Sequence, residues 1–226
     1  INAHANPAHE RRTGELLHQR FPDLDVTLSS EVLPRPREYR RLVAAGFDAY
    51  LKPVIRRYLE HLHRFISKTG TRLLIMGSDG GVLGSAAVLT SPLTTVLSGP
   101  AAGVVGAARV ASDAGFDNVV TLDIGGTSAD ISLVRNGRPS ITASASFGDY
   151  PLNLPMIDVQ AIGAGGSSIA WVDGAGGLKV GPESAGANPG PAAYARGGTN
   201  PTVTDAGLVL GYLNPASFAG GLSLDP

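Results

Sequence analysis

Asn118 to Val134 reads NVVTLDIGGTSADISLV, and few folds accommodate that order of residues: an apolar strand, an aspartate, two adjacent glycines, a threonine, then a second strand. Val119, Val120 and Leu122 are the β-branched and apolar residues of a buried strand. Asp123 ends it with a carboxylate able to hold a metal ion or its waters. Gly125 and Gly126 lack the side chains that would keep phosphate oxygens away from main-chain N–H groups. Thr127 adds a hydroxyl donor. Asp130 opens an alternating strand, Ile131 and Leu133 on one face against Ser132 on the other, closed by the hairpin signal Asn136-Gly137. The plain alternative is a β-hairpin whose glycines only make a tight turn; carboxylate, paired glycine and hydroxyl together favour a cradle for a phosphate chain.

Upstream, Ser98 to Gly115 (SGPAAGVVGAARVASDAG) predicts a helix of small residues with Pro100 in its first turn and a glycine near its end. A close-packing helix followed at once by the Asp-Gly-Gly-Thr hairpin resembles the crossing helix and second phosphate loop of the actin-like ATPase superfamily. There the nucleotide lies in a cleft between two domains, each supplying one such hairpin.

Within that superfamily the chain resembles the hydantoinase A / 5-oxoprolinase family, related to acetone and acetophenone carboxylase subunits. The matching segments run in order over nearly the whole chain: NPAHERR from Asn6, SSEVLPRPREYRR from Ser29, LLIMGSDGG from Leu73, LSGPAAGVVGAA from Leu97 and the Asp123 hairpin. PMIDVQAIGAGGSSIAWVD from Pro155 and VGPESAGANPGPAAYARGGTNPTVTDAGLVLGYL from Val180 complete them. The resemblance implies an α/β, actin-like ATPase (ribonuclease H-like) fold with a mixed sheet and crossover helices, preceded by a helical segment. It also implies ATP and Mg2+, with a second divalent metal, used to open a cyclic amide of hydantoin or 5-oxoproline type by phosphoryl activation of the carbonyl.

Asp123 and Asp130 are then the expected catalytic carboxylates. Gly125, Gly126, Thr127 and Ser128, with Gly163, Gly165, Gly166 and Ser167, are the expected cofactor contacts, and Asp123 and Asp158 the expected metal carboxylates. A hydantoinase B-type subunit or domain is the implied partner, in an oligomer located in the cytoplasm.

Some positions depart from the family pattern. Gln160 stands where a histidine follows Asp-Val, Ser167 where a third glycine is usual, Ala193 and Ala195 where cysteine and glycine are expected, and Gly77 and Asp79 replace glutamine and asparagine. Family members begin with a first Asp-x-Gly-Gly-Thr hairpin and continue for several hundred residues; only one such hairpin occurs here, so the resemblance implies an internal piece with weak nucleotide affinity in isolation. The alternative is a scaffold or assembly module that keeps the fold without turnover.

Composition narrows the rest. A net charge of −1 argues against a phosphate-backbone binder, and the arginines of 35–41, with Arg56, Arg57 and Arg64, alternate with acids as on a solvated helix face. No nucleic-acid partner is expected. The absence of cysteine excludes disulfides and thiolate chemistry. No apolar run reaches the roughly 18 residues of a membrane span, and the chain does not open as a secretory signal does. Neither a Gly-x4-Gly-Lys-Ser/Thr loop nor a Gly-x-Ser-x-Gly elbow nor His-Glu-x-x-His occurs, and His61 and His63 lie two apart on a helix, on different faces.

The first 70 residues carry 20 of the charged side chains but only 3 of the 30 glycines, which suggests a mainly helical segment at 1–70 and an α/β portion at 71–226. Periodicity predicts helices over Pro7–Phe21 and Arg37–Ser67, the second kinked or split at Pro53, with an extended piece at Asp25–Leu28. Strands are predicted at Arg72–Met76, Thr94–Leu97, Ser140–Ser146 and Ile157–Ile162, a turn at Gly77–Gly81 and a short helix near Ser85. A hairpin is expected to pair Ser168–Val172 with Leu178–Val180, an ordered loop to fill Gly181–Thr202, and a closing helix to span Thr204–Leu213 with Thr204 as N-cap.

Overall fold

The computed structural model describes residues 1–218 and 223–225. In chain order it contains α1 (Ala8–Arg20), α2 (Ser29–Val32), α3 (Glu38–Ile66), β1 (Leu74–Met76), β2 (Val82–Gly84), α4 (Ser85–Thr90), α5 (Ser98–Asp113), β3 (Val119–Ile124) and β4 (Ala129–Arg135). Short strands follow: β5 (Arg138–Pro139), β6 (Ile141–Thr142), β7 (Ala145–Phe147), β8 (Tyr150–Leu152), β9 (Met156–Ile157) and β10 (Val159–Ile162). Then come β11 (Ser168–Val172), β12 (Leu178–Ser184) and α6 (Val203–Val209). Two compact units share these elements, one formed by Ile1–Gly115 with Gly137–Asp158, the other by Phe116–Asn136 with the chain from Val159 onward. The units therefore do not part at residue 70, because β1, β2, α4 and α5 pack with the helical segment. The composition step there tracks where glycine loops begin, not where packing ends.

In the first unit, α3 supplies the spine. Arg41, Ala44 and Asp48 recur at helical spacing on its inner face and are buried, and Ala44 joins Val32, Leu33, Leu93 and Leu152 in one apolar cluster. Pro53 lies inside α3 without splitting it. Proline removes one N–H bond to the Ala49 carbonyl, and burial on both sides, at Asp48 and at Leu59, keeps the helix continuous.

Asp48 is fully buried, accepting from Ser91 Oγ (3.1 Å) and Leu93 N (3.2 Å), with Lys52 Nζ 3.4 Å from its other oxygen. Glu10 of α1 reaches across to the start of α2, accepting from Ser29 N (3.0 Å), Ser29 Oγ (2.7 Å) and Ser30 N (2.9 Å). Burial works to raise the Glu10 carboxyl, but its hydrogen bonds with Ser30 and Ser29 outweigh that and hold it below its ordinary value.

Two predicted strands of this unit are corrected. Thr94–Leu97 is no strand: Pro92–Thr95 forms a 3-10 turn, because Thr94 and Thr95 hydroxyls donate back to the carbonyls of Ser91 (2.7 Å) and Pro92 (2.8 Å) and outcompete a ladder. Ser140–Ser146 breaks into β6 and β7, with Ser144 N donating to Thr142 Oγ1 at 3.1 Å in the gap. β6 pairs with β9 and β7 with β8, both antiparallel, and Phe47 of α3 meets the rings of Phe147 and Tyr150 edge-on at 5.9 and 5.8 Å. Asp25–Leu28 joins no ladder.

The second unit is built on β3, β4 and β10, with β4 central and both pairings antiparallel. Predicted strand Ile157–Ile162 is interrupted at Asp158: Met156–Ile157 belongs to the first unit and Val159–Ile162 to the second. Burial reverses one expectation for β3. Thr121 is buried, while Val120 (65% exposed) and Leu122 (60%) face outward, their side of the strand having no cover among the described residues.

β11 and β12 form the expected hairpin, longer than predicted, with Trp171 Nε1 donating to Gly181 O at 2.8 Å. The closing helix starts earlier than predicted. Its N-cap is Thr202, whose side chain and the Asp205 carboxylate form a reciprocal capping box that fixes the first turn.

Candidate anion site at the Gly125–Ser128 turn

Between β3 and β4 the chain turns through Gly125 to Ser128, with Gly125 N donating to Ser128 O at 2.9 Å. The next three N–H groups, those of Gly126, Thr127 and Ser128, meet no hydrogen-bond acceptor among the described residues. Consecutive free amides on an exposed turn make a concavity suited to an anion.

The glycines sharpen this. Neither Gly125 nor Gly126 has a positive φ, and a Cβ on either would meet nothing nearer than 3.5 and 3.8 Å respectively. Nothing among the described residues therefore requires glycine there, and the bare main chain leaves room for a group approaching from outside.

Register places Asp123 directly opposite Asp130 across β3 and β4, next to the turn, with Asp123 exposed and Asp130 half-buried. Like charges directly opposite in a sheet are unfavourable, and a cation beside them relieves that. Mg2+ fits such a pair, since it keeps several waters and takes only one or two carboxylates along with phosphate oxygens. Among the described residues no group of three or more His, Cys, Asp or Glu side chains gathers as an all-protein metal cage would require. Asp158 belongs to the first unit, where its N–H donates to Ser140 O at 2.9 Å. Gln160 sits on β10 opposite Ile131.

The glycine run behaves differently from the sequence expectation. From Ala164 onward its amides are consumed internally: Ala164 N donates to Ile162 O (2.8 Å), Gly165 N to Ser168 Oγ (2.9 Å), Gly166 N to Gly125 O (2.9 Å) and Ser167 N to Gly126 O (2.6 Å). Gly165, Gly166 and Ser167 therefore have no N–H left for a phosphate, and Gly166 and Ser167 grip the back of the turn through Gly125 O and Gly126 O. Gly165 is glycine because a Cβ would lie 2.5 Å from Thr127 C and 2.6 Å from Ser128 N. Gly163 faces Pro182, whose Cα a Cβ would approach to 3.2 Å.

Three residues outside the expected set complete the arrangement. Ser168, with no exposure, brings Oγ within 3.3 Å of both Thr127 O and Gly163 O. Thr204 donates both N–H (2.8 Å) and Oγ1 (2.9 Å) to Gly166 O. Asp205 caps α6 and accepts from Ala193 N at 2.8 Å. Of these, only the Thr202-x-x-Asp205 spacing carried a readable signal, that of a capping box. Beside the turn opens a cavity of about 460 Å³, lined by Gly125, Gly126, Tyr194, Thr204, Leu213 and Phe218 among others. Ala195, where the family pattern expects glycine, takes the left-handed conformation at φ 53°.

An α/β unit with a glycine turn between two strands and paired carboxylates at its edge has the architecture of the actin-like ATPase fold. The chain belongs to the hydantoinase/oxoprolinase family, whose pattern matches residues 41–225. It is 42% identical to caprolactamase subunit alpha of Pseudomonas jessenii, over 96% of this chain and 31% of that protein. It is 38% identical to 5-oxoprolinase of Saccharomyces cerevisiae, over 96% of this chain and 17% of that one. The crystal structure of ATP-dependent caprolactamase from Pseudomonas jessenii superimposes with a TM-score of 0.81 at 41% identity, covering 99% of this chain and 33% of that one. The chain thus spans a third or less of the length of these relatives. Among its described residues no helix is long and apolar enough to cross a membrane.

Proposed function

We propose that this chain carries the phosphate-gripping element of an ATP-dependent enzyme subunit that opens a cyclic amide of hydantoin or 5-oxoproline type. One observation carries the reading: three successive N–H groups without acceptors, on a glycine pair that the chain's own packing does not require. Gly126, Thr127 and Ser128 hold phosphate oxygens through these amides, with the Thr127 hydroxyl as a further donor. Asp123 and Asp130 would hold Mg2+ or its waters beside them, and its charge would offset the repulsion between the two facing carboxylates. When bound, Mg-ATP supplies the phosphoryl group that activates an amide carbonyl oxygen toward hydrolysis.

These residues contribute position and charge neutralisation, the main demands of phosphoryl transfer, and no side-chain nucleophile is needed among them. The cyclic amide class comes from caprolactamase and 5-oxoprolinase. A B-type partner subunit or domain completes hydrolysis in this reading, in keeping with a relative named as an alpha subunit.

Titration calorimetry of Mg-ATP against wild type and Asp123→Ala tests it. Losing one charge-assisted contact weakens binding about tenfold or more. Equal affinity in the two proteins, or no binding to either, would refute the nucleotide site and favour a non-catalytic scaffold.

A further inference from the structure

The carbonyls that the glycine run grips and the N–H groups that stay free belong to the same peptide units. From this we infer that the Gly163–Ser168 loop is a positioning element: it aims the three amides of the turn outward, with Ser168 and Thr204 as its positioning side chains. The inference rests on reading the turn as an anion site.

In a trans peptide the carbonyl of one residue and the N–H of the next point in opposite directions. The peptide bonds from Gly125 to Ser128 are trans. Gly166 N holds Gly125 O, which turns the Gly126 N–H away from the loop. Ser167 N holds Gly126 O, which turns away the Thr127 N–H. Ser168 Oγ lies 3.3 Å from Thr127 O and so orients the Ser128 N–H in the same way. The free amides are therefore aimed by three contacts on the opposite side of the turn, and each contact comes from a successive residue of one loop.

The same rule extends the chain of control one step back. Gly166 O receives two bonds from Thr204, which turns the Ser167 N–H of that peptide toward Gly126 O. Thr204 thus acts on the Thr127 amide through two aligned peptide units, whose dipoles reinforce one another. Ser168 has a single hydroxyl hydrogen for its two carbonyl neighbours and accepts from Gly165 N, so it ties the loop's own curvature to the turn. Asp205 anchors the start of α6, and Thr204 with it, through the capping box.

The test uses the intact protein and inorganic tripolyphosphate, a probe that needs the amides and no base or sugar contact. Affinity is measured by calorimetry well below the melting temperature of each variant. Thr204→Val keeps the shape and deletes the hydroxyl, Thr204→Ser keeps the hydroxyl, and Ser168→Ala removes the contact to Thr127 O. Thr204→Val and Ser168→Ala are expected to bind about tenfold more weakly, the scale of one hydrogen bond to an anion, and Thr204→Ser within about twofold of wild type. A purely structural role lowers the melting temperature and leaves the affinity of the folded protein unchanged. Wild-type affinity in both Thr204→Val and Ser168→Ala overturns the positioning role while the anion site stands. Failure of wild type to bind tripolyphosphate overturns the anion site and the positioning role together.

Discussion

Substituting Gly165 by alanine isolates the packing of the glycine run from any ligand. Gly165 has no positive φ, so alanine brings no backbone strain, and the added methyl alone acts. That methyl would sit 2.5 Å from Thr127 C, 2.6 Å from Ser128 N and 2.7 Å from Thr127 N, all backbone atoms with no side-chain freedom to yield. Restoring ordinary contact near 3.4 Å requires the loop to retreat by roughly 0.9 Å from the turn. Bonds of 2.9 Å from Gly166 N to Gly125 O and 2.6 Å from Ser167 N to Gly126 O then stretch to or past the limit of a hydrogen bond, and the Ser168 contact to Thr127 O is lost outright.

At about 1 kcal/mol net for each bond the cost is about 3 kcal/mol, within the upper range for overpacking. For a chain of this length that corresponds to a fall in melting temperature of roughly 6–12 °C. Differential scanning calorimetry of wild type against Gly165→Ala, without nucleotide, measures it. A change under about 1 kcal/mol would mean that the loop does not seat on the turn and would refute its role as the turn's support.

Two further perturbations probe the first unit. Asp48→Ala leaves Leu93 N without its buried acceptor and Lys52 without its carboxylate; because Lys52 Nζ keeps Thr27 Oγ1 at 2.8 Å, the loss falls at the low end for a broken buried pair, about 3 kcal/mol by urea denaturation, and a loss below about 1 kcal/mol refutes the role. Glu10 has a folded-state carboxyl held below its ordinary value, so its contribution is present above the unfolded value and is lost as pH falls from about 4.3 toward the depressed one. Glu10→Gln should flatten that part of the stability profile, and unchanged acid sensitivity would count against the contact to Ser29 and Ser30.

The helices α3 and α5 were legible because burial of one face imposes a period that the sequence carries openly, and they fall within a few residues of their predicted bounds, as does α1, which buries no residue. The β3–β4 hairpin was legible from its β-branched residues and the adjacent glycines of its turn, not from its burial, which runs opposite to expectation at Val120, Thr121 and Leu122. What was not legible depended on side chains turning back on their own backbone. Thr94 and Thr95 have strand propensity, yet their hydroxyls close a 3-10 turn after Pro92. Thr202 rather than Thr204 caps α6, although Asp205 three residues on marks Thr202 as the first half of a capping box. The division into units was hidden because a composition step reports loop chemistry, while the points where the units part, after Gly115, Asn136 and Asp158, read in sequence only as a helix end, a hairpin turn and a strand residue.

The two glycine runs show why one role could be read and the other could not. In sequence, Gly125-Gly126 and Gly165-Gly166 make the same statement, that some backbone or ligand comes close; they do not say which. The structure separates them by what a methyl group would meet. At Gly165 the neighbour is the chain itself, at 2.5 Å, so internal packing fully accounts for the glycine. At Gly125 and Gly126 the nearest atoms lie at ordinary contact distance and φ is not positive, so nothing inside the described chain demands glycine. A residue that costs conformational entropy in the unfolded chain and is not needed by the folded one points to a partner outside it. One run is therefore the support and the other the surface it presents, and the free amides lie on the run whose glycines the chain does not use for itself.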